Sequence, residues 1–137
     1  MTEGSAMAAR APAVVAVVVT TDPGPWFEET LQAFAAQDYE NLSVLVLVSG
    51  GTIDPTETVA GCLPGAFVGR LSGCGGYGAA VDEALSMVEG ESFFLVCHDD
   101  CAPAPDAVHL MVEESFRSNA GIVCPKMVHW DDPRALL

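Results

Sequence analysis

Positive charge is scarce in this chain of 137 residues. Five Lys and Arg residues stand against 19 Asp and Glu residues, which gives a formal net charge of −14 at pH 7. This balance argues against binding to nucleic acid, because phosphate contacts need clustered Lys and Arg. It argues equally against attachment to anionic lipid surfaces. A phosphate-bearing ligand is compatible with so acidic a chain when a metal ion supplies the positive charge.

Long hydrophobic runs are missing as well. The run from Ala11 to Val19 falls short of the ~20 residues that a membrane helix needs. Asp22 and two prolines follow it without a small-residue cleavage site, so we expect neither a membrane span nor a signal peptide. The cysteine count is odd and the spacing irregular, which predicts reduced thiols in a cytoplasmic protein. The cysteines are Cys62, Cys74, Cys97, Cys101 and Cys124.

Short apolar runs alternate with amphipathic segments along the chain. The length fits one domain, which we place at residues 13–137 after a loose terminus at 1–12. The alternation of strand and helix predicts an α/β fold with a mostly parallel sheet. The predicted strands are 14–20, 42–48, 66–69, 92–97 and 121–124. The predicted helices are 26–37, 54–59, 77–88 and 105–118.

Two adjacent carboxylates, Asp99 and Asp100, follow the predicted strand at 92–97. Ligands of open α/β folds collect at the carboxyl ends of the strands, and carboxylates there suit Mg²⁺ or Mn²⁺, which in turn suit a diphosphate. The alternative is a solvated turn after a core strand. Zinc held by Cys97, His98 and Cys101 is disfavoured, because the two cysteines lie too close for a zinc knuckle and no second ligand pair follows.

A glycine cluster between a short strand and a helix allows a second hypothesis. The cluster comprises Gly73, Gly75, Gly76 and Gly78, and the first, second and fourth of these satisfy the G-x-G-x-x-G pattern of NAD- or FAD-binding oxidoreductase domains. However, that pattern usually follows the first strand of its unit, and here two strong strands precede it. The structural alternative for the cluster is that its glycines only let a helix pack closely. A third hypothesis, for the chain as a whole, is a non-catalytic α/β module.

Several segments in a fixed order carry a resemblance to a known family. Residues 37–42 (QDYENL) lead into the second strand, His98-Asp99-Asp100 stands where an Asp-x-Asp motif is expected, and residues 103–106 (PAPD) and 121–127 (GIVCPKM) follow. In this order and spacing, residues 14–130 resemble the family 2 glycosyltransferases of the GT-A fold. The resemblance implies a Rossmann-like three-layer sandwich.

The resemblance also implies a function and a site. Members of that family bind a nucleotide-diphosphate sugar through Mg²⁺ or Mn²⁺ and transfer the sugar to an acceptor hydroxyl. By position, Asp100, together with Asp99, would bind the metal. The residues implied in donor binding are Thr20, Thr21, Asp22, Ser49, Gly50, Gly75, Gly78, His98 and Asp99.

The chain departs from the family pattern in three ways. Ser49-Gly50 lacks the acidic residue that commonly contacts the base, and His98 replaces the first Asp of the metal motif. Family domains also have a second half with the acceptor pocket and the catalytic base, which we expect beyond Leu137. We therefore expect a donor-binding half, truncated at its C-terminus, that is inactive alone and self-associates through an exposed edge. The implied acceptor is a sugar, a lipid-linked sugar or a cell-envelope polysaccharide, in the cytoplasm or at the inner face of the membrane.

Overall fold

The computed structural model describes residues 11–71, 76–87 and 93–137. Within these ranges strands and helices alternate, as the sequence predicts. The strands are β1 (Val14–Thr20), β2 (Leu42–Val48), β3 (Phe67–Arg70) and β4 (Phe93–His98), and the helices are α1 (Phe27–Ala35), α2 (Thr56–Cys62), α3 (Tyr77–Met87) and α4 (Ala107–Ser118). Two of the predicted strands have the observed bounds, whereas predicted helix ends differ by up to three residues. The predicted loose terminus lies almost entirely outside the described residues.

The four described strands form one parallel sheet in the order β3-β2-β1-β4. In the register of the sheet, Val14 lies beside both Leu42 of β2 and Phe93 of β4. All seven residues of β1 are buried. A strand with neighbours on both sides and helices on both faces has no route to water, which explains why β1 is apolar at nearly every position.

Two hydrophobic layers flank the sheet, one on each face. On the first face, Ala16 and Val18 pack with helices α1 and α2 through Leu31 and Val59, among others. On the second face, Val17 and its neighbours pack against Ala80 and Ala84 of α3. The prediction of an α/β fold with helices on both faces of a parallel sheet is therefore confirmed.

Helix α4 lies on the α1 side of the sheet. The ring of Phe116 contacts the ring of Phe93 edge-on, with centroids 5.9 Å apart. The side chain of Gln37 fastens the start of α4, since its Nε2 donates to the Ala104 carbonyl at 2.7 Å and its Oε1 accepts from the Val108 amide at 3.1 Å. Residues 37–42, which carry part of the family resemblance, therefore also help to fix the position of α4.

The predicted strand at 121–124 is wrong. These residues are irregular, and the Ile122 side chain is 85% exposed. Apolar composition favours a strand only where a neighbouring strand supplies hydrogen bonds, and no described strand lies beside this segment. The chain instead forms a small C-terminal hairpin (residues 127–137), in which the Leu137 amide donates to the Met127 carbonyl and the His129 amide to the Ala135 carbonyl.

Among the described residues, no helix is long and apolar enough to cross a membrane.

A substitution at Leu31 tests how much the packing of α1 on the sheet contributes to the stability of the domain. Its side chain is fully buried between α1 and the sheet. We expect Leu31→Ala to lower the free energy of unfolding by about 2–5 kcal/mol, because it leaves a cavity. The exposed Ile122→Ala should change it by less than about 0.5 kcal/mol. Urea unfolding of both variants measures the difference, and equal losses would contradict this packing.

Candidate functional site

The carboxyl ends of β1 and β4 lie side by side, where the topology of the sheet predicts a ligand-binding crevice. From β1 the chain builds β2 and β3 on one side and then returns to place β4 on the other side. The two strands are parallel, so their carboxyl ends lie together. In open α/β sheets, ligands bind at this kind of reversal of strand order. The topology therefore puts the residues after β1 and β4 at a ligand-binding position.

Asp99 is fixed at the tip of β1 by two hydroxyl groups. Thr20 Oγ1 donates to Asp99 Oδ2 at 2.6 Å. Thr30 Oγ1 on α1 lies 3.0 Å from the Asp99 carbonyl and 3.1 Å from the Trp26 carbonyl, so the two acceptors share its one proton. Both threonines are buried, at 1% and 0% exposure. A buried hydroxyl that donates to a carboxylate sets the direction of the carboxylate, because leaving either group unpaired would be costly. Asp99 therefore has a defined orientation in the crevice.

The side chains of His98 and Asp100 lie in different environments from that of Asp99. The His98 ring stacks on the Tyr77 ring at the start of α3, with centroids 4.2 Å apart. Asp100 lies in the turn after β4 and is exposed. Successive side chains alternate between the faces of a strand, so the three residues of the motif diverge. The sheet thus places His98 on the α3 side, Asp99 against β1 and the Asp100 carboxylate toward solvent.

Two tryptophans lie beside Asp100. Trp130 in the C-terminal hairpin donates from its Nε1 to the Asp100 carbonyl at 3.1 Å. Its ring stacks on that of Trp26, at the start of α1, with centroids 6.0 Å apart and an angle of 20° between the planes. Both rings are partly exposed, at 38% and 44%. A segment 30 residues away in sequence therefore contacts the turn that carries the predicted metal ligand.

The loops after β1 and β2 are tied to each other. Thr21 Oγ1 donates to the Ser49 carbonyl at 2.6 Å. The Asp22 carboxylate accepts from the amides of Thr52 and Ile53 at 2.7 and 2.8 Å. Hydrogen bonds from these amides, that of Ile53 first, hold the pKa of Asp22 below its usual value of 3.8. Asp22 thus lies in the predicted donor-binding region, but its carboxylate is engaged by the neighbouring loop.

Glycine is required in the loop after β2. Gly50 and Gly51 have φ angles of +73° and +80°, a region that side chains rarely adopt. A Cβ atom on Gly51 would also lie 2.6 Å from Asp22 Oδ1. Gly78, by contrast, has no atom within 4 Å of an added Cβ. Gly73 and Gly75 lie outside the described residues.

The position of the glycine cluster does not support a dinucleotide fingerprint. It follows β3, which lies at an edge of the described sheet, whereas the strand order reverses between β1 and β4. A pyrophosphate-binding loop is expected after the first strand of its unit, at that reversal. The oxidoreductase alternative therefore loses its topological basis.

The described residues fit a hard divalent cation better than zinc. Within them, no three His, Cys, Asp or Glu side chains come together in a cluster that could hold a metal ion. Desolvation raises the pKa of the Cys97 thiol to about 12, so the thiolate that zinc requires is disfavoured. Mg²⁺ needs less from a protein, because one or two carboxylates combine with substrate phosphates and water. The exposed Asp100 carboxylate meets that need.

Other features are remote from the crevice or were missed by the sequence analysis. A cavity of about 260 Å³ lies at the opposite edge of the sheet, where Tyr39, Leu42 and Ala66 contribute to its walls. Sequence reasoning did not select Thr30 or Tyr77 for the site. Thr30 could have been found, since a hydroxyl on the buried face of an amphipathic helix needs a partner. Nothing in the sequence connects Trp130 with Asp100.

Comparisons with known proteins identify the family. The model of glycosyl transferase family 2 matches residues 15–136, so the chain belongs to this family. An uncharacterized glycosyltransferase from Rickettsia typhi is 28% identical over 89 residues, which are 65% of this chain and 28% of that protein.

Solved structures share the fold. TarS from S. aureus (residues 1–349) superposes with a TM-score of 0.73 at 21% identity, over 88% of this chain and 37% of that one. A mannosyltransferase from Pyrobaculum calidifontis, in complex with GDP-Man and Mn²⁺, gives a TM-score of 0.68 at 24% identity, over 88% of this chain and 35% of that one. These likenesses confirm the predicted GT-A-type fold. The chain spans well under half the length of these relatives.

Substituting Gly51 tests the tie between the two loops. We expect Gly51→Ala to lower the free energy of unfolding by about 1–2 kcal/mol, because alanine is strained at positive φ and its methyl would displace Asp22. Gly61 in α2 is the matched control, since an added Cβ there meets nothing within 4 Å. Gly61→Ala should stabilise by roughly 0.5–1 kcal/mol. Thermal unfolding of both variants gives the comparison, and a neutral Gly51→Ala would refute the close contact.

Asp22 should show the effect of its amide partners when it is titrated. Its pKa is lowered in the folded chain, so its contribution to stability is present above the unfolded value near 3.8 and is lost as the pH falls through the folded value. In an NMR titration we expect the carboxyl midpoint below 3.8, with the Thr52 and Ile53 amides following the same midpoint. Asp22→Asn should abolish that transition at both amides. A midpoint at or above 3.8 contradicts the contact.

Proposed function

We propose that this family 2 chain is the donor-binding part of a glycosyltransferase that moves a sugar from a nucleotide diphosphate to an acceptor hydroxyl. The observation that supports the proposal most directly is the Thr20–Asp99 hydrogen bond of 2.6 Å across the ends of β1 and β4. It fixes the acidic turn in the crevice where ligands of such sheets bind. Asp100, the next residue, is then the ligand that holds a divalent cation against the diphosphate.

The two carboxylates have different tasks in this proposal. One oxygen of Asp99 is engaged by Thr20, and its second oxygen remains to accept a hydrogen bond from a sugar or ribose hydroxyl. Asp100 is exposed and reaches solvent at the mouth of the crevice. Asp100 is therefore the direct metal ligand, and Asp99 orients the donor. His98, which is stacked on Tyr77, forms the wall on the α3 side.

Charge explains why a cation is needed. The bound Mg²⁺ or Mn²⁺ would neutralise the diphosphate as it leaves the sugar. The described residues offer few alternatives, because the guanidinium groups of Arg70, Arg117 and Arg134 each pair with a carboxylate and Lys126 is the one other Lys or Arg among them. The net charge of the chain is −14. A diphosphate without a metal would meet Asp99 and Asp100 and be repelled.

The nucleotide would lie along the loops after β1 and β2. Thr21, Ser49 and Gly50 come together at this rim. Both amides donate to Asp22 Oδ1, so its Oδ2 remains as an acceptor at this rim. The base would then be recognised by backbone groups, hydroxyls and this oxygen. Structural neighbours have been solved with UDP-GlcNAc and with GDP-Man and Mn²⁺, so both diphosphates are reasonable probes.

The acceptor side of the reaction is assigned to parts outside this chain. The chain spans 37% of the matched TarS chain and 28% of the Rickettsia relative. We place the carboxylate base that activates the acceptor hydroxyl in the remaining length, as the family resemblance implies. The acceptor would be a sugar, a lipid-linked sugar or a polysaccharide, and the half-exposed side chains of β4, Phe94 and Val96, would meet the remainder of the protein.

Calorimetric titration tests the proposal. We expect UDP or GDP to bind in the presence of Mn²⁺ and not in EDTA. Asp100→Asn should weaken binding at least about tenfold, since it removes a charged metal ligand. Glu40→Gln, which removes one negative charge from the loop before β2 at the opposite edge of the sheet, is the matched control and should bind as the unmodified chain does.

Two results would contradict the proposal. One is Mn²⁺-dependent nucleotide binding that Asp100→Asn leaves unchanged, which would place the metal elsewhere. The other is metal-independent binding of NAD, which would revive the oxidoreductase alternative. Absence of binding by any of these ligands would favour a non-catalytic module.

A further inference from the structure

The C-terminal hairpin reaches across to the turn that carries Asp100. Trp130 is its point of contact, because the indole Nε1 donates to the Asp100 carbonyl at 3.1 Å. The hairpin is itself closed by hydrogen bonds from His129 to Ala135 and from Leu137 to Met127. The contact is therefore made by an ordered unit that is separated from Asp100 by 30 residues.

Asp99 and Asp100 differ in how they are held. Asp99 is fixed by Thr20 at its carboxylate and by Thr30 at its carbonyl. Asp100 is exposed, and the one side-chain hydrogen bond that its carboxylate accepts within the described residues is a weak one, from Cys101 Sγ to Oδ1 at 3.8 Å. Within the described residues, the indole N–H of Trp130 makes the long-range hydrogen bond to the backbone of Asp100. That bond holds the peptide group that follows Asp100.

The stacking of the two indoles fixes Trp130 in turn. The Trp26 ring lies against it at 6.0 Å, nearly parallel, at the beginning of α1. Such offset stacking adds to the area that the rings bury against each other. Helix α1 also supplies Thr30, which holds Asp99. One helix therefore supports both acids, the first directly and the second through Trp130.

We propose that Trp130 is a positioning residue for Asp100, and that the C-terminal hairpin is coupled to occupation of the metal and diphosphate site. The inference rests on the proposed function, because it concerns the affinity of that site. The coupling is reciprocal: if the hairpin orients the ligand-binding carboxylate, a ligand on the carboxylate stabilises the hairpin. A role in packing alone would stabilise the fold without linking the hairpin to the ligand.

The matched pair of variants is Trp130→Phe and Trp26→Phe. Each keeps an aromatic ring in the stack and removes one indole N–H. Only the first removes the hydrogen bond to Asp100, since the Trp26 indole makes no hydrogen bond to any residue in the described ranges. Binding of UDP at saturating Mn²⁺ is measured by calorimetry. We expect Trp130→Phe to raise the Kd about fivefold, the effect of one lost hydrogen bond, and Trp26→Phe to raise it less than about twofold.

Hydrogen exchange in the unmodified chain tests the coupling without a variant that could misfold. We expect Mn²⁺ with UDP to slow exchange at the His129 and Leu137 amides, which close the hairpin. In Trp130→Phe this slowing should be lost, although the variant keeps its far-UV circular dichroism. Since the chain has two tryptophans, both in this pair, the indole N–H signals can be assigned by the same two variants.

The outcomes separate this inference from the proposed function. If Asp100→Asn abolishes binding but Trp130→Phe binds like the unmodified chain, the proposed function stands and the positioning role is refuted. Unchanged exchange at His129 and Leu137 on ligand binding refutes the coupling in the same way. If the unmodified chain binds neither UDP nor GDP with Mn²⁺, the proposed function is refuted. The positioning role of Trp130 is then refuted as well, because it presupposes that site.

Discussion

The hydrogen bond between Thr20 and Asp99 is the constraint on which the site depends. It joins the ends of two neighbouring parallel strands whose residues are 79 positions apart. Because the Thr20 hydroxyl is buried, it needs a partner, and the Asp99 carboxylate is that partner. The pleat of β4 then sends His98 to the opposite face, against Tyr77, and the chain turns so that Asp100 meets solvent. Three consecutive residues thus acquire three different environments.

Charge sets a second constraint, on what the crevice can bind. In the proposed function, the carboxylates of Asp99 and Asp100, in a chain with a net charge of −14, would repel a free diphosphate and attract a cation. Within the described ranges, no three His, Cys, Asp or Glu side chains lie close enough together to hold a metal ion by themselves. A cation held by Asp100 together with the phosphate groups of the donor would satisfy both conditions. Metal and nucleotide would then bind together, because the metal supplies positive charge and the diphosphate supplies further oxygen ligands.

The loops after β1 and β2, at the rim of the site, stabilise each other through hydrogen bonds and leave the site open. Asp22 turns back toward the amides of Thr52 and Ile53 and packs over Gly51, so its charge is held by backbone dipoles. Thr21 bridges to the Ser49 carbonyl. The family resemblance placed these residues at the nucleotide, and the structure brings them together.

The sequence by itself determined the parallel α/β sheet and the position of the acidic turn. Residues 14–20 and 42–48 are almost wholly apolar, and such runs are stable only as strands that are largely covered, so their bounds were predicted as observed. The same reasoning failed at 121–124, because a strand needs a partner and composition does not supply one.

Only the tertiary structure decided how the two acids are divided and which distant residues support them. Neither the contact of Thr30 with Asp99 nor that of Trp130 with Asp100 leaves a local signal, since each joins residues that are far apart in sequence. Local sequence patterns indicate which side chains are buried. Which hydroxyl or indole meets a given carboxylate or carbonyl is fixed by the packing of helices on the sheet, and that is a property of the whole fold.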